Sequence, residues 1–312
     1  MSESRSGVSW LHRSASLLAV MTFLVLMTGM LASGTGGAPF ATHWAGLTGN
    51  RNPSSGPLAK YVSVYQFLAA LVSILTIIVT LWLSRSKSRR YVKTLASVTL
   101  GVLLVEVLAA FGSARGLSPV VTSLGYMCGI QVFFGLTVCL ALFTRSDWRW
   151  DEPKSPDLAS PSVRQVLIFT TGAVFLEPLL GEAFQQKEIG IAPHFVLGIA
   201  VTVCSLWVLE MALTKFSHLR SFKISAIFLA ELVGLQLFLG IISYSMNLDA
   251  RFAPGPQPGL VVMNATHAAV GALVLATSLF VTFQAFRYFA PAESKASSIL
   301  LREHQQAEQK QD

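Results

Sequence analysis

The chain has 312 residues, 53% of them hydrophobic and 12% charged, and a formal net charge of +7. Soluble domains carry about 25% charged residues, so this composition excludes an ordinary soluble globule. No basic patch interleaved with aromatic residues is present, so the positive charge does not point to nucleic acid.

The apolar residues come in blocks of about 18 or more with few charges, which predicts transmembrane helices. Eight blocks follow in chain order: 14–34, 61–83, 92–112, 119–143, 165–181, 192–213, 224–246 and 260–286. The first follows Arg5 and Arg13 and ends in GMLASG, so a cleaved signal peptide is an alternative reading. Its long apolar run favours a retained helix. The second block carries Tyr65, the third Glu106, and the fourth Gly125 and Gly129. The fifth is the weakest, because Glu177 and Pro178 interrupt it. His194 and Gly198 open the sixth, Glu231 and Gln236 lie in the seventh, and His267 and Gly271 in the eighth. In hydrocarbon every backbone amide needs an internal partner, so the expected fold is an all-α membrane protein of eight transmembrane helices.

Lys and Arg set the expected orientation. With a cytoplasmic N-terminus, the inner segments hold 18 of the 23 basic residues and the outer loops five: Arg51, Lys60, Arg115, Lys187 and Arg251. This positive-inside bias places both termini in the cytoplasm, with membrane lipid as the surrounding partner. Cys128, Cys139 and Cys204 all fall within helices, which favours apolar packing over a structural disulfide.

The polar stretch 145–164 divides the blocks into four and four, with expected units 1–150 and 151–312. Laid on one another in order, the halves coincide repeatedly. TGMLASG (28–34) faces TGAVFLE (171–177), and Tyr65 falls opposite His194. Glu106 falls opposite Gln236, Gly125 opposite His267, and Gly129 opposite Gly271. Four helices per half, running in the same sense, imply parallel repeats about an axis along the membrane normal, as two four-helix bundles.

His12, His43, His218 and His304 are read outside the apolar blocks, leaving His194 and His267 as the intramembrane pair. They lie near the outer ends of corresponding helices, with a depth difference of about 10 Å at 1.5 Å per residue. Ionisable groups at that depth are costly and usually functional. Two neutral imidazoles facing each other across a bundle suit the axial positions of a haem iron. Gly198 and Gly271 each follow a histidine by four residues, on the same face, where the absence of a side chain leaves room for a flat macrocycle. Interhelical hydrogen bonding is the competing reading for each histidine taken singly. Glu106, Glu177 and Glu231 are candidates for a proton route or a base, or are protonated carboxyls bonded to a neighbouring helix. Glu210 reads as a headgroup-level residue. Arg115 and Arg251 occupy corresponding outer loops, placed to pair with a haem propionate or to face solvent.

The stretches LQLFLGIISYSM and VVMNATHAAVGALVL, with PHFVLGIAV, GLSPVVTSLGYMCGIQVFFGLTVCLAL and GMLASGTGG, resemble the haem A synthases, membrane proteins of cytochrome oxidase assembly. The resemblance covers most of the chain. It implies eight helices in two similar halves, a haem b held by histidines matching His194 and His267, and haem O as a substrate oxidised at a ring methyl. It also implies the bacterial inner membrane, with haem O synthase and oxidase assembly proteins as partners. In that family the first half carries two further histidines and a glutamate, and these positions here hold Tyr65, Gly125 and Val62. The loop cysteine pair of many bacterial members is missing as well. Tyr65, Glu106 and Glu177 are thus the candidate catalytic residues, with tyrosine ligation of haem iron by Tyr65 as one reading. A non-catalytic haem protein that relays electrons or carries haem is the alternative function; a transporter is a third reading, with no broken helix pair to support it.

Overall fold

A computed structural model describes residues 2–33, 59–113, 119–148, 150, 154–157, 159–250 and 257–290. Among them are eight α-helices: α1 (Ser2–Ser33), α2 (Ala59–Arg85), α3 (Arg90–Ser113), α4 (Pro119–Phe143), α5 (Val163–Gln185), α6 (Ala192–Thr214), α7 (Arg220–Ala250) and α8 (Pro258–Tyr288). Each contains an apolar span of 20 to 31 residues. At 1.5 Å per residue even the shortest reaches the roughly 30 Å of a hydrocarbon core, so this is a multi-pass membrane protein. The expected blocks fall inside these helices, apart from the last residue of the first. His43, His304, Arg51, Arg115 and Arg251 lie outside the described residues.

Local chemistry explains the helix ends. At α5, Ser162 and Gln165 form a reciprocal capping box, with Gln165 N donating to Ser162 Oγ at 3.2 Å and Ser162 N donating to Gln165 Oε1 at 3.0 Å. Proline stands in the first turn of both α6 and α8, where its missing N–H costs nothing. Pro178 does not break the fifth helix as the sequence suggests: α5 runs on to Gln185. One correction concerns His12, expected in a polar tail. It lies within α1, and its Nδ1 is 3.0 Å from the Ala141 carbonyl of α4.

The helices form two rings of neighbours. α1 packs on α2 and α4, and α3 closes the ring against the same two; α5, α6, α7 and α8 repeat this arrangement. α1 with α8, α4 with α5, and α4 with α8 join the two rings. The shared core runs between them through Leu18, Phe133, Leu167, Leu229 and Val281. Outward faces are apolar too: Phe67, Leu108, Val196 and Ile241 are each at least 59% exposed, as a lipid-facing surface requires. Many intramembrane hydroxyls bond within their own helix, as where Thr22 and Thr76 donate to carbonyls four residues back at 2.8 and 2.7 Å, and others reach a neighbouring helix, as where Thr80 donates to Ala96 O. The polar linker is fastened to the end of α8, with Ser155 N donating to Tyr288 O at 2.8 Å and Ala290 N donating to Ser155 O at 2.9 Å.

Candidate functional site

α6 presents His194 and α8 presents His267 toward each other, with ring centroids 6.4 Å apart and ring planes at 73°. The depth difference expected from sequence does not keep the two rings apart. Both rings line a largely apolar cavity of about 310 Å³ enclosed by α5, α6, α7 and α8. Leu26 and Met30 of α1, and Met127 and Gln131 of α4, complete its wall.

Each imidazole is positioned by a neighbouring helix. His194 Nδ1 is 3.2 Å from the Glu177 carbonyl and 3.0 Å from Glu177 Oε1, so both oxygens of α5 accept from one ring N–H. That fixes the tautomer and leaves Nε2 with a free lone pair. On the other side, Gln236 Nε2 donates to His267 Nε2 across 3.4 Å. His267 Nδ1 is buried without a hydrogen-bond partner, as is Gln236 Oε1. Buried polar atoms rarely stay unpaired, so this wall of the cavity is chemically unsatisfied as it stands.

Glycines make the close approach possible. A Cβ on Gly181 of α5 would stand 3.2 Å from His194 Cε1, and one on Gly240 of α7 would stand 3.1 Å from His267 Cε1. Neither position was singled out in the sequence. Gly198 and Gly271 line the same cavity. Their faces are turned to other side chains: Gln236 Nε2 lies 3.0 Å from a Cβ at Gly271, and Glu177 Oε1 lies 3.5 Å from one at Gly198.

Among the first four helices, two phenols meet. Tyr65, 3% exposed, meets Tyr126 with the hydroxyls 3.1 Å apart. Both press on Gly29 of α1, where a Cβ would stand 3.0 Å from the Tyr126 hydroxyl. Val62 is buried nearby on α2, whereas Gly125 is exposed and a Cβ there would meet nothing within 4 Å. Tyr126, next in sequence, therefore carries the inward side chain, and sequence comparison with Gly125 missed it. Glu106 of α3 lays its carboxyl directly over Gly129 of α4, and Gln236 of α7 brings its amide to Gly271 of α8. Glu231 and Glu210 are exposed on their helices, and Thr214 Oγ1 donates to Glu210 Oε1 at 3.1 Å. The two therefore stand apart from the cavity. Cys128, Cys139 and Cys204 are all free thiols. Compared with protein-family models and with curated proteins, the chain matches none of them.

Proposed function

We propose that this chain is a membrane haem protein, built as two related four-helix halves, whose second half holds a haem b between His194 and His267. The spacing of the two rings carries the reading. A metal–nitrogen bond of about 2 Å plus about 1.1 Å from nitrogen to ring centre, taken twice, gives a centroid separation of about 6.2 Å. The observed 6.4 Å fits one iron between two imidazoles. Among the described residues no three His, Cys, Asp or Glu side chains gather as a metal site. An ion held here by two imidazoles must bring its remaining ligands with it, as a porphyrin does. The apolar cavity wall suits the same group.

Bound haem supplies one-electron chemistry. The chain's own part is orientation and electrostatics. Glu177 holds His194 through Nδ1, which raises the basicity of the opposite nitrogen and prevents ring rotation. Gln236, 3.4 Å from His267 Nε2, would give up that contact to an iron held there. Gly181 and Gly240 let the two rings sit close against α5 and α7. The apolar lining would keep water from an iron held there.

The repeat reading is supported by the packing: exchanging α1 with α5 and α4 with α8 maps the contacts between halves onto themselves. The matched Glu106–Gly129 and Gln236–Gly271 approaches support it too. Orientation with both termini in the cytoplasm, in a bacterial inner membrane, follows from the basic residues and the resemblance to haem A synthases. A second reading, oxidation of haem O in the first half during haem A biosynthesis and oxidase assembly, draws on Glu106 beside Tyr65 and Tyr126. Electron relay or haem carriage is the better supported function, because the phenols bond to each other.

The test is spectroscopic. Purified protein gives a reduced-minus-oxidised spectrum of low-spin bis-histidine haem b, and His194→Ala and His267→Ala each abolish it. Protein that carries no haem and takes none up from a haem b titration defeats the reading. Supplying haem O and assaying haem A by pyridine haemochrome separates enzyme from relay.

A further inference from the structure

Four seams close the ring of α5, α6, α7 and α8 around the histidine cavity, and three of them are pinned by hydrogen bonds. His194 Nδ1 bonds α6 to the Glu177 carbonyl of α5, and Thr171 Oγ1 of α5 lies 2.8 Å from Thr282 Oγ1 of α8. Ser243 Oγ of α7 donates to Asn264 Oδ1 of α8 at 2.6 Å. The fourth seam differs: among the described residues no side-chain hydrogen bond joins α6 to α7. A ring contact holds its end instead, where Phe195 and Tyr244 meet edge to face at 6.0 Å.

That seam is also the thin wall of the cavity. Phe195 and Ile199 of α6, one turn apart, line the cavity along one edge, and Leu237 and Ile241 of α7, also one turn apart, line it along the other. All four are nevertheless 38% to 59% exposed. Facing the cavity does not by itself expose a residue: Val174, Val201, Val233 and Leu275 line the same space and are at most 6% exposed. The free surface of the four therefore lies mainly on the outer side, and one layer of side chains separates the cavity from lipid. Ile199 stands seven residues beyond Ala192, where the α6 span begins, and Ile241 nine before Ala250, where the α7 span ends, or about 10 and 14 Å. The thin stretch is thus inside the hydrocarbon and level with the imidazoles. Phe195 follows His194 in sequence, and Gly240, against which His267 rests, precedes Ile241.

We propose that the α6–α7 seam is a lateral port, through which a flat apolar guest passes between the bilayer and the cavity as Phe195 and Tyr244 part. The guest's identity as haem b rests on the reading given above; the port rests on the unpinned, thin seam. The cavity's other exit, toward the helix ends, is tied. There Asn264 accepts from Ser243 and Asn247, Ser123 of α4 donates to Glu182 of α5, and Gln186 Nε2 donates to the same carboxyl at 2.8 Å. A guest leaving that way breaks hydrogen bonds. One leaving through the seam parts only apolar contacts, which lipid chains replace in kind.

The port is tested with and without haem. Ala268→Cys puts a thiol on the cavity wall of α8, across the ring from α6. The full-length variant in phosphatidylcholine vesicles is treated with a membrane-soluble pyrenyl maleimide or with a charged, membrane-impermeant methanethiosulfonate. Labelling is read at that peptide by mass spectrometry, apart from Cys128, Cys139 and Cys204. The pyrenyl reagent labels the introduced thiol and the charged one does not. Ile199→Trp and Ile241→Trp, each added to that variant, overpack the seam from its exposed side and slow labelling about tenfold. Either suffices should the other not fold, and Asn247→Leu, at the tied exit, leaves the rate unchanged. Labelling by the charged reagent, no labelling at all, or an unchanged rate in the folded tryptophan variants overturns the port. Haem b dissolved in the same vesicles gives the second arm: in otherwise unaltered protein the tryptophan substitutions slow uptake and release alike, leaving Kd and the final spectrum as in wild type. Seam-dependent labelling without haem uptake sinks the cofactor reading and keeps the port; haem uptake without seam-dependent labelling does the reverse.

Discussion

Glu177 offers the sharpest check on how the histidine pair is held. Its side chain and its own carbonyl both accept from His194 Nδ1, at 3.0 and 3.2 Å. Glu177→Leu removes the closer acceptor and leaves the carbonyl in place, so His194 keeps its tautomer but loses its closer partner. Outer-shell partners of metal-bound histidine are worth about 10- to 100-fold in metal affinity. With one of two acceptors retained, the lower end applies: about tenfold, or about 1.4 kcal/mol. Glu177→Gln preserves an acceptor oxygen and binds haem within about threefold of wild type, by the same reasoning. The assay is absorbance titration of haem-depleted protein with haem b, together with the midpoint potential of the reconstituted protein. The potential rises in Glu177→Leu, because the imidazole loses the closer acceptor that raises its basicity. Wild-type affinity and potential in Glu177→Leu refute the positioning role. Complete loss of binding, as in His194→Ala, refutes the claim that the carbonyl suffices to orient the ring.

Gly240→Val drives a branched side chain into a space where even a Cβ would stand 3.1 Å from His267 Cε1. Metal sites tolerate distance errors of about 0.2 Å, so the variant loses the low-spin signature while circular dichroism shows an unchanged helix content. Tyr65→Phe deletes the 3.1 Å bond to Tyr126 and costs about 1 kcal/mol, read as a lower melting temperature, with the haem spectrum of the second half unchanged. Gly129→Ala collides with the Glu106 carboxyl and lowers thermal stability, whereas Gly125→Ala meets open space and gains about 0.5–1 kcal/mol from helix propensity. Asp147, outside the spans, has its carboxyl held below its ordinary value by hydrogen bonding to Arg145. Its pairing is present above the ordinary aspartate range and lost as pH falls through the lowered value. Asp147→Asn therefore flattens only the acid limb of a melting-temperature profile.

The spans were legible because hydrocarbon permits few solutions. A long apolar block must be helical, and only the ends and Pro178 left room for error. His194 and His267 were legible as chemistry because an imidazole among apolar residues is costly to bury. Which side chains meet was not legible. Gly181 and Gly240 look like ordinary small residues in an apolar alphabet, and their role depends on the rotation of α5 and α7. Such rotation leaves little trace in sequence when every helix face is apolar, whether it meets lipid or protein. Tyr126 was passed over for the same reason: one residue, or about 100° of helix, separates it from exposed Gly125. Glu177 was visible as an odd carboxyl but not as the partner of His194, since 17 residues and a helix reversal intervene.

The cavity between the imidazoles is walled partly by Leu26, Met30, Met127 and Gln131, which belong to the first ring of helices. The earliest residues to leave the ribosome thus wait for the latest before an enclosed chamber exists. A chain cut within the segment 145–164 and produced as two pieces recovers this chamber only when both pieces meet in one bilayer. On the proposed reading, uptake of haem then doubles as a report that assembly is finished.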